Sequence, residues 1–218
     1  MDRTRLLHKV RLWFARDEVA AFHPHQAVMN AFSRGLRIAG IPVRLTEGYN
    51  VHPRVAIPYA LSVGIAGEGE VLEIELCDWM RPSVVSKKLN ESLPRGLRIT
   101  KARLVPPRRA AFVVTGALYR ATIQRKLLES AKAGAKKLIE AEKWNVVRQK
   151  KKKTRKRDIR PFVEEITFDG QEMMFRLKVT RNGTAKPIEI VAAVLNHEEC
   201  EPRLVPVFKL GMEIKNAD

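Results

Sequence analysis

The order in which two hydrophobic periodicities alternate along the chain constrains the fold most. Apolar residues occupy every second position in EVLEIEL (70–76), as in a strand with one buried face, and recur at helical spacing in AVMNAFSRGLRIAG (27–40). Extending this assignment through the first half predicts helices after His25 and Pro82 and strands at 10–14, 41–46, 54–63, 69–76 and 97–105. The resulting order, β-α-β-β-α-β, is typical of the ferredoxin-like fold.

A second set of elements in the same order follows the segment PPRR (106–109), which has the composition of a linker. The predicted elements are a strand at 111–124, a helix at 126–143, a hairpin of 162–168 with 173–180, a helix from Pro187 and a strand at 204–210. The two halves show no clear sequence repeat. We therefore predict an α+β protein with two ferredoxin-like halves in tandem, residues 1–107 and 110–218.

Positive charge is concentrated in one segment. The chain has 41 Lys and Arg against 24 Asp and Glu, a net charge of +17, and the segment RQKKKKTRKRDIR (148–160) holds nine of those cations with a single acid. A field of this sign favours a polyanionic partner, most often nucleic acid. An anionic membrane is the alternative, but the sequence shows no amphipathic helix with aromatic anchors beside the basic run, and no apolar run of membrane-spanning length.

Several classes of protein are excluded by what the sequence lacks. Cys77 and Cys200 are its two cysteines, so a disulfide framework and a cysteine zinc site are not expected. The CxxxCxxC motif of a radical SAM cluster, nucleotide-binding loops and hydrolase motifs are also absent. We predict no cofactor. No signal peptide is recognised, so a cytoplasmic location is expected. The sequence does not determine the oligomeric state.

The heptapeptide GYNVHPR (48–54) combines residue types that suit nucleotide binding. Arg54 offers a planar fork for phosphate, His52 can donate to a phosphate oxygen, and Tyr49 can stack on a base. The same residues also suit a structural turn in which Tyr49 and His52 brace the loop against the first helix. Both interpretations stay open from the sequence.

The run 148–160 has three interpretations. As a nucleic-acid arm it would neutralise phosphates, and a protein making about 6–10 such contacts loses roughly 10³–10⁵ in affinity between 50 and 200 mM salt. As a solvated loop it would bind nothing in particular, and as a docking segment it would bind an acidic protein. The candidate phosphate-binding residues are Lys150, Lys151, Lys152, Lys153, Arg155, Lys156, Arg157 and Arg160.

Candidates for chemistry are few. Asp158, beside the basic run, could orient an arginine by a bidentate pair or serve as a catalytic carboxylate, as in the pseudouridine synthases, which also use two ferredoxin-like halves. His52 is a second catalytic candidate, as a proton acceptor near neutral pH. His23, His25 and His52 are candidate metal ligands, but no cysteine or carboxylate stands at a convincing third or fourth position. We predict neither a metal site nor an activity of its own.

Three stretches carry a resemblance to a known family. They are 22–76, which includes the GYNVHPR loop, a glycine-rich turn and the alternating acidic strand, then DIRPFVEEI (158–166) and RNGTAKPIEIV (181–191). Over most of its length the chain resembles the radical SAM-linked family, the domain of unknown function DUF2344. Gln26 stands where that family usually has aspartate, and Pro24 where serine is usual. This departure argues against a proton-transfer or metal role that depends on the carboxylate.

The resemblance implies association and no particular reaction. Members of the family occur beside or fused to radical SAM and cobalamin-binding domains, and near RNA-processing and ribosomal genes. Together with the basic charge, the resemblance predicts an RNA-binding accessory protein that acts with a radical SAM enzyme or in ribosomal or transfer RNA maturation. An RNA-modifying enzyme and a protein–protein adaptor for an acidic or radical SAM partner are the alternatives.

Overall fold

The fold is mixed α/β, in agreement with the predicted α+β class. The computed structural model describes residues 8–59, 61–106, 112–150, 153–195 and 201–216. It divides into two compact units, Met1–Val113 with Lys215–Asp218, and Val114–Ile214. Most of the predicted linker lies outside the described residues, and the halves 1–107 and 110–218 stay a prediction. Within the described ranges, no helix is both long and apolar enough to span a membrane.

An antiparallel sheet forms the centre of the first unit. Its elements are β1 (His8–Arg16), α1 (Glu18–Ala21), α2 (His25–Ile38), β2 (Val55–Ala56), β3 (Ala66–Leu76), α3 (Pro82–Ser92) and β4 (Leu97–Val105). Strand β1 pairs antiparallel with both β3 and β4, and β2 pairs antiparallel with β3. The strand order is therefore β4-β1-β3-β2.

The core of this unit lies between the sheet and its helices. Alternate residues of β1 face this core, and α2 contributes a stripe at a spacing of four residues. The Phe14 and Phe32 rings meet edge to face, with centroids 4.8 Å apart. The buried residues from these two elements are Val10, Leu12, Phe14, Val28, Phe32 and Leu36.

Two strands of the first half were predicted too long. The segment 41–46 forms only isolated bridges, and of the predicted strand 54–63 only β2 is paired as a strand. Pro42 and Pro58 fall inside these segments, and a proline supplies no N–H to a ladder. The helices predicted after His25 and Pro82 are confirmed.

The second unit contains a sheet of the same strand arrangement. Its elements are β5 (Phe112–Thr122), α4 (Leu128–Glu140), β6 (Asn145–Lys150), β7 (Lys153–Asp158), β8 (Val163–Asp169), β9 (Glu172–Lys178), α5 (Pro187–Val194) and β10 (Val207–Asn216). The order in the sheet is β10-β5-β9-β8, with β9 antiparallel to both β5 and β8. Helix α4 packs on α5, and the rings of Tyr119 and Phe175 stack with centroids 5.3 Å apart.

The described residues of the basic run do not form the solvated loop that was one of its interpretations. Strands β6 and β7 pair antiparallel as a separate two-stranded ribbon, from Asn145 opposite Asp158 to Lys150 opposite Lys153. Val146 and Val147 are β-branched and favour the extended backbone at its start. The aliphatic parts of Lys and Arg side chains can pack along a strand while their charges stay in water. A strand made of these residues therefore shows no alternation of apolar and polar residues in its sequence.

Candidate nucleic-acid interface

The GYNVHPR loop is a tight turn held by its own polar groups. The Thr46 N–H donates to the His52 carbonyl oxygen at 2.8 Å, and the His52 N–H donates to Thr46 Oγ1 at 3.1 Å. His52 Nδ1 lies 3.0 Å from the Asn50 carbonyl oxygen. Gly48 has a φ of 113°, which favours glycine. One ring nitrogen of His52 therefore serves the turn, and Nε2 is left to meet a ligand.

Arg54 is partly neutralised within the protein. Its Nη1 lies 3.3 Å from Glu75 Oε2, and Arg44 Nη1 lies 3.5 Å from the same oxygen. Arg44 also lies 3.7 Å from Glu47, from Nη2 to Oε1, so the two guanidinium groups face two carboxylates. The Arg54 side chain is 44% exposed, so it can still accept an anion from solvent, although its ion pair will compete.

An open trough of about 290 Å³ runs beside the loop and is lined by both signs of charge. His52 and Arg54 belong to it, whereas Tyr49 is fully exposed outside it. The expected bracing of the loop by Tyr49 therefore does not occur. The trough is lined by Lys9, Thr46, His52, Pro53, Arg54, Val55, Ala56, Glu73 and Glu75.

Arginines attach the basic ribbon to the rest of the second unit. Arg148 donates from Nε and Nη2 to the two carboxylate oxygens of Glu189, each at 2.7 Å. This hydrogen-bonded carboxylate raises the pKa of Arg148. Arg157 donates to the Asn182 carbonyl oxygen and lies over the Phe162 ring, 4.9 Å from its centre. Arg157, a predicted phosphate ligand, thus acts in the structure as an anchor.

Arg160 and Asp158 stabilise the turn that follows the ribbon. Arg160 donates to the Ile139 carbonyl oxygen from Nε at 3.0 Å and from Nη2 at 2.7 Å, and to the Val163 carbonyl oxygen from Nη1 at 2.9 Å. Asp158 Oδ1 accepts from the Trp144 N–H at 2.9 Å and from the Arg160 N–H at 3.1 Å. The Asp158 carboxylate therefore caps backbone amides, where the sequence had suggested a pair with an arginine side chain.

Arg155 and Lys156, both on β7, are exposed. Neither forms an ion pair with another residue of the described ranges. Adjacent residues of a strand point to opposite faces, so one of these two charges lies on each face of the ribbon. Lys150 and Lys153 pair at its far end, and Lys151 and Lys152 lie outside the described residues.

The three candidate metal-binding histidines are not brought together. His23, His25 and His52 line three different pockets. Among the residues that the structure describes, no group of three or more His, Cys, Asp or Glu is placed to hold a metal ion. Gln26, at the position of the family aspartate, donates to Asn30 Oδ1 at 3.1 Å on the surface of α2. It therefore helps to order the first turns of that helix.

A buried arginine was missed by the sequence reasoning. Arg16, at the end of β1, is 2% exposed and donates from Nη2 to the carbonyl oxygens of Ser62 at 2.5 Å and Ile65 at 2.6 Å. Burial lowers the pKa of its guanidinium, and the nearby buried Glu70 acts in the opposite direction. Arg16 fixes the segment that leads into β3. Nothing in the local sequence distinguishes it from a surface arginine.

A row of cations on β4 was also missed. Arg98, Lys101 and Arg103 are all exposed, but their spacing does not fit the two-residue period of a regular strand. The β1–β4 register shifts by one residue at this point and leaves Thr100 unpaired. This bulge reverses the alternation, so that all three cations occupy the same face of the sheet as Trp13.

Comparisons with known proteins identify the family of the chain. No curated protein matches it. Among solved structures, an unknown protein from Galdieria sulphuraria shares 16% identity over 97% of this chain and 99% of that one, with a TM-score of 0.26 that supports no argument. The family model described as an uncharacterized protein conserved in bacteria (DUF2344) matches residues 9–188. The chain therefore belongs to the DUF2344 family.

Proposed function

We propose that this protein binds RNA as an accessory factor in the cytoplasm and acts in the maturation of ribosomal or transfer RNA. The observation that carries the proposal is the basic ribbon, β6–β7. Its base is fixed by Arg148 and Arg157, while Arg155 and Lys156 are exposed and unpaired within the described residues. Cations on an ordered ribbon lose less conformational entropy on binding a phosphate backbone than cations on a flexible arm.

The division of roles among the ribbon's arginines supports this proposal. Arg148 and Arg157 donate their hydrogen bonds to other parts of the second unit. The orientation of the ribbon is therefore set before any ligand binds. A two-stranded antiparallel ribbon is also narrow enough to enter a nucleic-acid groove. Phosphate contacts by the exposed cations would position the RNA without reading its sequence.

We further propose that each unit is a ferredoxin-like domain. The strand orders β4-β1-β3-β2 and β10-β5-β9-β8, with a helix in each of the two crossover connections, support this assignment. Four-stranded sheets of this kind serve as RNA-binding modules in other proteins, which is an argument by analogy of fold.

The GYNVHPR loop would supply a second, weaker phosphate contact. Arg54 pairs with Glu75 but its side chain is 44% exposed, His52 lines the same trough, and Tyr49 is fully exposed in the same loop. Partnership with a radical SAM enzyme rests on the family resemblance. Asp158 gives no support to the alternative of an RNA-modifying enzyme, because its carboxylate caps backbone amides.

The proposal is tested by removing the exposed charges of the ribbon. We expect Arg155→Ala with Lys156→Ala to weaken binding to a fluorescein-labelled RNA hairpin, and to lower the slope of log affinity against log salt by about 1.4–1.8, since each lost phosphate contact removes about 0.7–0.9. The matched control is Arg125→Ala with Lys126→Ala. These residues are an exposed Arg and Lys in the short turn just before α4, so the change in net charge is the same.

The two double variants separate a local contact from a general electrostatic effect. Equal losses of affinity in both variants would mean that net charge alone attracts the RNA. Unchanged binding in both would show that the ribbon does not contact the RNA. Absence of any RNA affinity in the unmodified protein at low salt would refute the proposed function. Circular dichroism of each variant checks that the fold is retained.

A further inference from the structure

Trp13 lies at the centre of a basic patch on the first unit. It belongs to the face of β1 that points away from the core residues Leu12 and Phe14. Trp13 is half-buried, and the Lys101 ammonium lies over its ring, 5.1 Å from the ring centre. The Thr100 hydroxyl donates to the Trp13 carbonyl oxygen at 3.2 Å, which ties the bulge of β4 to β1 at this point.

The charge on this face changes from one side to the other. Toward β3, Glu73 is neutralised by Arg11, whose Nη2 lies 2.8 Å from Oε1, and by Lys9, whose Nζ lies 3.8 Å from Oε2. Toward the edge, β4 presents the exposed Arg98, Lys101 and Arg103, and none of these three forms an ion pair within the described residues. The excess positive charge therefore lies along the edge strand, beside the Trp13 ring.

The bulge in β4 makes this arrangement specific. In a regular strand Arg98 and Lys101 would point to opposite faces, because they are three positions apart and side chains alternate at every position. With the bulge, the cations follow one line past an aromatic ring, at a spacing of about 7 Å between Lys101 and Arg103. That spacing is close to the separation of successive phosphates along an extended single strand.

Protection of an exposed edge is the simpler explanation for the cations alone. Lys and Arg on edge strands prevent sheets from pairing with one another. Such protection does not require the cations to share one face, nor to lie beside a half-buried tryptophan. The combination of a stacking surface with a line of cations is instead the feature common to proteins that bind single-stranded nucleic acid.

We propose that this face binds single-stranded RNA, with Trp13 stacking on a base and Arg98, Lys101 and Arg103 contacting the phosphates on either side. This inference rests on the proposed function and names the class of RNA. Lys101 moves from the ring to a phosphate as the base takes its place. This site, the β4 basic face, shares no residue with the ribbon or with the GYNVHPR loop.

The test compares a labelled oligouridylate with a blunt RNA duplex of equal phosphate count. We expect Trp13→Leu to weaken binding of the oligouridylate by about 5- to 150-fold, the range of one lost base–aromatic stack. Binding of the duplex should change little, because its bases are not free to stack. Trp79→Leu is the matched control, since Trp79 is exposed in the same unit. Thermal unfolding of both variants shows whether a loss of affinity reflects a loss of fold.

A second pair of variants keeps the test valid if Trp13→Leu proves unstable. Lys101→Gln with Arg103→Gln should lower the salt slope for the oligouridylate by about 1.4, while Lys87→Gln with Arg95→Gln, an exposed pair elsewhere in the unit, should leave it unchanged.

The outcomes distinguish this inference from the proposed function. If the ribbon variant loses RNA affinity while the Trp13 and Lys101/Arg103 variants bind the oligouridylate normally, RNA binding stands and the β4 site is refuted. If the β4 variants only aggregate more readily and retain full affinity, the cations protect an edge. If polyglutamate displaces the oligouridylate as effectively as unlabelled RNA does, the face binds any polyanion and the stacking role of Trp13 is wrong.

Discussion

Replacing Glu189 by glutamine should weaken the contact that holds the basic ribbon against the rest of the second unit. The Glu189 carboxylate accepts from Arg148 Nε and Nη2 at 2.7 Å each and from the Lys186 N–H at 2.8 Å. A glutamine offers one oxygen and one NH₂ group, so at least one of these donors would face another donor. Hydrogen bonds to charged groups contribute about 1.5–3 kcal/mol. Because the Arg148 side chain is 28% exposed, we discount this to about 1–2 kcal/mol for the whole contact.

Hydrogen exchange followed by mass spectrometry measures this effect where it should occur. An opening free energy lower by about 1–2 kcal/mol corresponds to about 5- to 30-fold faster exchange of the β6 and β7 amides. Amides of β5 and β9 should keep their protection, because their ladder does not depend on Arg148. Glu142→Gln, at an exposed glutamate just before the ribbon, is the control.

One result would refute this account of the ribbon. If Glu189→Gln leaves the β6 and β7 amides as protected as in the unmodified protein, the ribbon is held by its own ladder, and the anchoring role given to Arg148 is wrong. Faster exchange confined to the first turn of α5 would have the same meaning. In that case the mutation would have weakened only the capping contact with Lys186.

Two further substitutions each test one buried contact, one in the second unit and one in the first. Gly134→Ala should destabilise the protein by up to about 2 kcal/mol, because a Cβ there would overlap the Val194 carbonyl group of α5. Overpacking costs about 1–3 kcal/mol, and the gain in helix propensity offsets about 1 kcal/mol of it. A rise in the denaturation midpoint would contradict this. Arg16→Lys should lower the free energy of unfolding, measured in urea, by about 1–3 kcal/mol. An ammonium lacks the planar fork that reaches both the Ser62 and Ile65 carbonyl oxygens. Unchanged stability would show that these contacts contribute nothing.

Local patterns account for most of the elements. Alternation in EVLEIEL, the helical stripe of α2 and the prolines that open α3 and α5 are signals carried by neighbouring residues, and the structure has these elements where they were expected. The failures arise where local and nonlocal requirements differ. The β6–β7 ribbon has the composition of a flexible tract, but its cross-strand pairing and the contact of Arg148 with Glu189, far along the chain, make it ordered.

The candidate site follows the same division. That GYNVHPR forms a polar turn and that 148–160 is strongly basic could be predicted from residue type alone. Which cations stay available could not, because a guanidinium is neutralised only by a group that folding places beside it. Glu75 takes part of the charge of Arg54, and the carbonyl oxygens of residues 139 and 163 take the donors of Arg160.

The sequence by itself determined most of the helices and strands, the positive charge and the family, since each of these is encoded in contiguous residues. Only the tertiary structure decided which arginines hold the protein together and which face solvent, because hydrogen bonds to distant carbonyl and carboxylate groups make that distinction. It also decided the face on which the β4 cations lie. A single unpaired residue, Thr100, sets that alternation, and a bulge is visible only when the partner strand is in place.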